Sequence, residues 1–147
     1  MDRQESIGRW ISILYRQIHT FLNKKLRQYN LRASHIHVLK IVIRNDGINQ
    51  EHISKMLHLD KANIGRAINK LMREGYIKRD IDPNDKRAYV LHITDKGKDF
   101  DTILRKILDQ ITDQLLSDFS NDDKKKAFEI LKNMHRNFTS MESSNNK

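Results

Sequence analysis

Apolar residues recur at three- and four-residue spacing through the opening of the chain, at Ile7, Trp10, Ile11, Leu14, Ile18, Phe21, Leu22 and Leu26. That period predicts one long amphipathic helix. The pattern returns near the other end with Phe100, Ile103, Leu104, Ile107, Leu108, Ile111 and Leu115. Ser120, followed by Asn121, Asp122 and Asp123, then reads as an N-cap with acids suited to a helix N-terminus. The helix it opens carries Phe128, Leu131, Met134 and Phe138, and the polar tail 143–147 is expected to fray. No internal repeat or low-complexity linker interrupts the chain, so the pattern predicts one compact chain with long helices at both ends, without an independent second domain.

Between about 33 and 93 the elements become short. Ser34 to Arg44 predicts a helix burying Ile36 or His37 together with Val38, Leu39, Ile41 and Val42, and Asp46-Gly47 breaks it. Asn49 then caps a helix running to about Leu57, with Ile48 and Ile53 placed as a hydrophobic staple. Asp60 caps the next helix, over about 61–74, again with staple positions at Leu59 and Ile64. Two helices joined by about three residues have the proportions of a helix-turn-helix.

The second of these helices divides by face. Ile64, Ala67, Ile68, Leu71 and Met72 form an apolar arc; Asn63, Arg66, Asn69, Lys70 and Arg73 form the opposite one, joined by Ala62. Gly65 lies near the boundary, where it costs about 1 kcal/mol of helix propensity relative to alanine and suits a close approach. The major groove admits a helix, and Arg, Lys and Asn match guanine and adenine edges there. A solvated charged face is the plainer account of this arc taken alone. The residues that follow change the balance. Glu74-Gly75 ends the helix, and 76–81 and 87–93 read as two strands around the turn Asp82-Pro83-Asn84-Asp85-Lys86. A helix-turn-helix followed by a basic-tipped hairpin is a winged helix. In that arrangement Arg87 is placed to enter a narrow minor groove, where the negative potential is strongest. Asp85 is expected to orient that guanidinium, to pair with Arg79, or simply to form the turn.

Composition and charge then narrow the class. The 147 residues carry 28 Lys+Arg and 19 Asp+Glu, a formal net charge of +9, with no cysteine and one proline. Lacking cysteine, the chain has no disulfide framework, thiolate metal site or thiol switch, and a cytoplasmic location is expected. No run approaches the roughly 18 apolar residues of a membrane span. The charged stretch 1–7 does not read as a secretory signal. An excess of +9 favours a polyanion. A membrane-binding helix would gather lysine and arginine beside one apolar face, whereas here the basic residues are spread over several segments. Residues 1–31, 32–94 and 124–147 are net basic, and 95–123 are net acidic.

From Asp60 to Gly97 the sequence resembles the MarR (multiple antibiotic resistance regulator) family of winged-helix transcription regulators. The residues that carry the resemblance are Asp60-Lys61, Arg66, Leu71, Glu74-Gly75-Tyr76-Ile77, Arg79, Asp82-Pro83-Asn84-Asp85-Lys86-Arg87, Leu91 and Ile93-Thr94-Asp95-Lys96-Gly97. The family's wing pattern of Asp, any residue, Arg stands as Asp85 and Arg87, and Ile93 replaces the usual leucine in the closing motif. Leu31 and Ser34 match the opening of the family's second helix loosely, with His37 where glutamine is frequent. The resemblance implies a mainly α fold with a small β-hairpin wing, and a homodimer interlocked through its first and last helices. On it, 1–31 and 95–147 are dimerisation segments and 32–94 is the DNA-binding lobe. It implies a transcriptional regulator, expected to act as a repressor, that binds a pseudo-palindromic operator in double-stranded DNA. Asn49 and Gln50, and more weakly Ser34 and His35, would contact phosphates. Lys61, Ala62, Asn63, Arg66 and Lys70 would face the major groove, flanked by Asn69 and Arg73, while Asp85, Lys86 and Arg87 form the wing tip.

Other chemistry has less support. Many family members bind anionic aromatic effectors, and Trp10, Tyr15, Arg16, His19 and His37 lie on segments that can line such a cleft, although Trp10 also reads as interface core and Tyr15 as a half-buried helix residue. The seven histidines show no i,i+4 pairing, so no metal site and no cofactor are expected. No Gly-rich phosphate loop or nucleophile elbow is present, which argues against an enzyme. A winged helix serving protein–protein contact is the alternative; it would not need a cationic outer arc together with Arg87.

Overall fold

The computed structural model describes residues 6–145. Helix α1 (Ile7–Leu26) passes into a 3-10 turn (Arg27–Tyr29), followed by α2 (Ala33–Arg44), α3 (Gln50–Leu57), α4 (Lys61–Arg73), strands β1 (Ile77–Asp82) and β2 (Asp85–Ile93), α5 (Asp95–Leu115) and α6 (Asn121–Asn145). Among the described residues the fold is mainly helical, with one antiparallel two-stranded hairpin. Two compact units are formed, Met1–Leu108 and Asp109–Lys147. The start of the charged segment and the last two residues of the tail lie outside the described residues. The tail positions expected to fray are helical as far as Asn145.

The core of the first unit follows the apolar arcs. Leu22 and Leu26 of α1 are buried, as are Ile36, Val38, Leu39, Ile41 and Val42 of α2, Ile53 of α3, Ile64, Ala67, Ile68 and Leu71 of α4, and Phe100, Leu104 and Ile107 of α5. Ile36 takes the buried place on α2, and His37 is exposed. Full burial of each large aliphatic side chain contributes about 1.5–3 kcal/mol relative to exposure. The cost is met locally by caps. The Asn49 side chain accepts from His52 N–H, and Asp60 accepts from Asn63 N–H. Ile48 joins the wing instead of acting only as a staple: its carbonyl accepts from Leu91 N–H at 2.8 Å.

A second joint, at the base of the wing, ties it to α4 and α5. Thr94 Oγ1 accepts from Gly97 N–H at 3.1 Å and donates toward the carbonyls of Gly75 and Tyr76. Lys96 Nζ donates to the Glu74 carbonyl at 2.6 Å and lies 4.6 Å from the Tyr76 ring centroid. Gly75, at φ +78, turns the chain out of α4. The closing motif Ile93-Thr94-Asp95-Lys96-Gly97 is thus a cap, a C-terminal carbonyl ligand and a close crossing in five residues.

In the second unit, the Ser120 hydroxyl accepts from Asp123 N–H at 3.2 Å, as an N-cap should. Phe128, Leu131, Phe138 and Met141 on α6 are each about half exposed or more, and α6 has no fully buried residue among those described.

Candidate nucleic-acid interface

The outer arc of α4 is ordered before any partner arrives. Asp60 Oδ1 accepts from Asn63 N–H at 2.8 Å, and Asp60 Oδ2 accepts from Asn63 Nδ2 at 2.7 Å. Asn63 Oδ1 in turn accepts from Arg66 Nη2. A carboxylate on one side and a guanidinium on the other permit only one orientation of the Asn63 amide. The chain Asp60–Asn63–Arg66 therefore fixes two side chains of the exposed arc at the cost of one capping residue. Asp60→Ala is expected to lower stability by about 1 kcal/mol through the lost cap, and to weaken DNA binding further by freeing Asn63 and Arg66. Thermal unfolding and a duplex titration measure the two losses separately; unchanged binding would mean that the relay does not matter.

Helix α3 meets α4 closely at Gly65. A Cβ there would stand 3.3 Å from Gln50 Nε2, which donates to the Lys61 carbonyl at 3.1 Å. The glycine thus leaves room for the Gln50 side chain against the start of α4, as its position at the edge of the apolar arc suggests. Gln50 is half-buried and engaged with α4, and Asn49 caps α3 with its side-chain oxygen.

The remaining outer residues of α4 differ from one another. Lys61, Ala62, Asn63, Arg66, Asn69 and Arg73 are exposed, whereas Lys70 is half-buried. Lys70 Nζ lies 2.8 Å from Glu74 Oε1, with both side chains about 20% exposed. Asn30 Nδ2 donates to the same oxygen at 2.7 Å. Those two hydrogen bonds hold the Glu74 carboxyl below its ordinary range. The charge on Lys70 is therefore largely answered within the protein.

Beside α4 runs an open cleft of about 660 Å³, whose polar lining includes Arg32, Ser34, His35, Asn69 and Arg73. Ser34 and His35 are thus brought to the same surface as the outer arc of α4. Arg32, absent from the sequence-derived set, joins them. The signal available for it was its place two residues before the helix start predicted at Ser34. Arg32 N–H donates to His35 Nδ1 at 3.0 Å, half of a capping box with imidazole in place of the usual carboxyl. Burial, then the charges of Lys70 and Arg32, push the His35 pKa below its ordinary value. With Nδ1 accepting, a neutral His35 carries its proton on Nε2.

The wing differs from the expected geometry at its tip. The strands run to Asp82 and from Asp85, so only Pro83 and Asn84 lie between them, not the five-residue turn 82–86. Ile81 pairs with Tyr89, and the next pair is Asp82 with Asp85. Lys86, Arg87 and Ala88 therefore have no opposite residue and bulge from the longer strand. Asp85 does not engage a guanidinium: its Oδ1 accepts the backbone N–H of Arg87 at 3.0 Å, the turn-forming role. Arg79 lies instead over the Tyr89 ring, 5.4 Å from its centroid. Lys86 and Arg87 are exposed.

Of the residues considered for an effector, three meet. The Tyr15 and His19 rings are 4.0 Å apart between centroids, and His19 and His37 are 5.9 Å apart and stacked. Burial, then His19 and Lys40, push the His37 pKa down. Trp10 and Tyr15 are 57% and 56% exposed, so neither is covered within the chain, and the half-buried position expected for Tyr15 is not found. Arg16 joins this stretch through its carbonyl, which accepts from the Thr20 hydroxyl. Among the described residues, no group of three or more His, Asp or Glu is arranged to hold a metal ion. Among them, too, no helix is long and apolar enough to cross a membrane.

Comparison with known proteins places this arrangement. The model of the MarR family matches residues 31–89, from the buried Leu31 through the wing. The crystal structure of a MarR transcriptional regulator from Methanosarcina mazei Go1 is similar at 35% identity and a TM-score of 0.87, over 92% of this chain and 97% of that one. A crystal structure of MarR is similar at 27% identity and a TM-score of 0.89, over 98% of each chain. The HTH-type transcriptional regulator BilQ of Clostridioides difficile (strain CD3) is 29% identical over 131 residues, 89% of this chain and 86% of that protein.

Proposed function

Because the chain belongs to the MarR family of DNA-binding winged-helix transcription regulators, we propose that it binds a pseudo-palindromic duplex operator as a homodimer and represses the genes it governs. The observation that carries this reading is the preorganised Asp60–Asn63–Arg66 relay on the exposed arc of α4. In the proposal α4 lies in the major groove, with Lys61, Ala62, Asn63, Arg66, Asn69, Lys70 and Arg73 along it. Lys70 contributes mainly by positioning, since Glu74 answers its charge. Ser34, His35, Asn49 and Gln50 meet phosphates, and Asp85 presents Lys86 and Arg87 to the minor groove.

Homodimerisation is supported by apolar side chains the single chain leaves in water. On α1, Ile7, Trp10 and Ile11 are each about half exposed, and on α6 Leu131 and Phe138 are about 60% exposed. A second copy is the partner that removes such faces from water at the smallest cost in new sequence. Trp10, Tyr15, Arg16, His19 and His37 form the proposed effector site, supported by the Tyr15–His19–His37 ring contacts. A planar aromatic anion suits those rings beside Arg16. The work is proposed to take place in the cytoplasm.

Titration onto the DNA upstream of its own coding sequence, at two salt concentrations, tests the reading. Affinity is expected to fall steeply with salt, because each neutralised phosphate releases about 0.9 counterion. Sedimentation is expected to show a species of twice the 17.5 kDa chain mass. Absent or salt-insensitive duplex binding would favour a protein-interaction role for the same fold.

A further inference from the structure

The recognition arc and wing leave one group of cations without a role. Lys24 near the end of α1, Arg27 in the 3-10 turn and Arg32 just before α2 are all exposed. They line an open, polar cleft of about 750 Å³, whose wall is completed by Asn30, His35 and Lys70. Arg32, His35 and Lys70 also line the cleft beside α4, so the two are one continuous surface that prolongs the α4 face at its C-terminal end.

This surface is held in place. The Asn23 side-chain oxygen accepts from Ala33 N–H at 2.8 Å, which docks the end of α1 on the start of α2. Asn30, left-handed at φ 59, donates to Glu74, and Tyr76 Oη donates to the Tyr29 carbonyl at 3.0 Å. The turn bearing Arg27 is therefore fastened to the end of α4 at two points. The carboxylate of Glu74, which closes this junction, is already shared by Lys70 and Asn30. Among the described residues, no carboxylate pairs with Lys24, Arg27 or Arg32 within 4.0 Å. Three cations are thus set along one wall with no carboxylate partner among the described residues, and His35, whose Nδ1 accepts from Arg32 N–H, offers its Nε2–H as a fourth donor. Charges spread over successive turns suit a row of singly charged phosphodiesters better than one compact phosphate group.

We propose that this cleft holds the sugar-phosphate backbone of the duplex just beyond the half-site read by α4, with Lys24, Arg27 and Arg32 each on a phosphate. The inference rests on the DNA-binding reading, because the flank exists only if a duplex lies on α4. It extends each half-site outward without adding base readout.

The test uses two duplexes centred on the same operator, one ending at the half-sites and one longer by about 10 base pairs on each side. The wild type and the double variant Lys24→Gln, Arg27→Gln, which leaves Arg32 of the α4 cleft in place, are titrated on both at several salt concentrations. On the long duplex the variant is expected to lose about tenfold or more in affinity at 0.1 M salt, and its salt slope should fall by up to about 4, for about four phosphates per dimer at about 0.9 each. On the short duplex the two proteins should bind alike, which also shows that the variant is folded. Equal binding to the long duplex, or equal losses on both, overturns the flank contact while leaving the DNA reading intact. A wild type that binds neither duplex overturns the DNA reading and the flank with it.

Discussion

Replacing Gly97 by valine is expected to destabilise the protein by about 3 kcal/mol or more, the upper range for overpacking a tight contact. At a few degrees per kcal/mol for a chain of this size, the melting temperature falls by roughly 10 °C. A Cβ at Gly97 would collide with Ile93 Cδ1 and with the Tyr76 carbonyl oxygen. The side-chain methyl of Ile93 can rotate away, but the carbonyl cannot. It is fixed by the Thr94 N–H at 3.1 Å and by the Thr94 hydroxyl at 2.9 Å. Relief of the clash must therefore part α5 from the segment between α4 and β1, which frees the base of the wing. Gly8→Ala supplies the contrast: its Cβ meets only Ser6 Oγ at 3.6 Å, and removing an exposed helix glycine stabilises by about 0.5–1 kcal/mol. Thermal unfolding followed by circular dichroism compares them. A Gly97→Val protein that melts within about 2 °C of the wild type would show that the crossing can open without penalty.

The same joint shows what the sequence could and could not convey. Helices α1 and α4 were legible because their apolar positions keep one period; on α4 the buried face coincides with it, whereas on α1 only Leu22 and Leu26 are buried within the chain. The caps Asn49 and Asp60 were legible because the donors they satisfy lie three residues away. The role of Gly97 entered only through a resemblance, since nothing in local propensity says what a helix will meet at its first turn. Lys70 reads as a cation of the outer arc although its partner Glu74 stands four residues on; what the sequence does not convey is that Asn30, 44 residues from Glu74, shares that carboxylate and holds it on Lys70. The wing tip was misjudged for a related reason. A turn rich in Asp, Pro and Asn predicts a reversal, but the register is decided by which side chain caps which amide. Asp82 Oδ1 takes Asn84 N–H and Asp85 Oδ1 takes Arg87 N–H, which closes the turn to two residues and displaces the offset onto β2. The exposed apolar faces of α1 and α6 were legible as faces, whereas what covers them is a property of the assembly.

That displacement makes Arg87 the second large expected effect. Arg87→Ala should weaken operator binding by about 2–4 kcal/mol per dimer, roughly 30- to 1000-fold, if each of two distant copies contributes 1–2 kcal/mol and the losses add. The estimate exceeds that for an ordinary exposed arginine because of how the side chain is presented. Lys86, Arg87 and Ala88 have no residue opposite them in the ladder. Asp85 holds the Arg87 amide, and no carboxylate among the described residues pairs with the Arg87 guanidinium. The backbone is thus ordered while the charge stays unspent, and binding need not first break an internal ion pair. A narrow minor groove concentrates negative potential, so a guanidinium delivered there without reorganisation contributes more than one on an open face. Arg87→Lys should recover only part of the loss, because an ammonium is more strongly hydrated and gives up more on entering the groove. Asp85→Ala should produce a smaller loss than Arg87→Ala, since it loosens the presentation but keeps the charge. All three proteins should sediment as the wild type does, and their melting temperatures should stay close to it. Lysine restoring full affinity would reduce the wing to a general phosphate contact; alanine without effect would take it off the DNA.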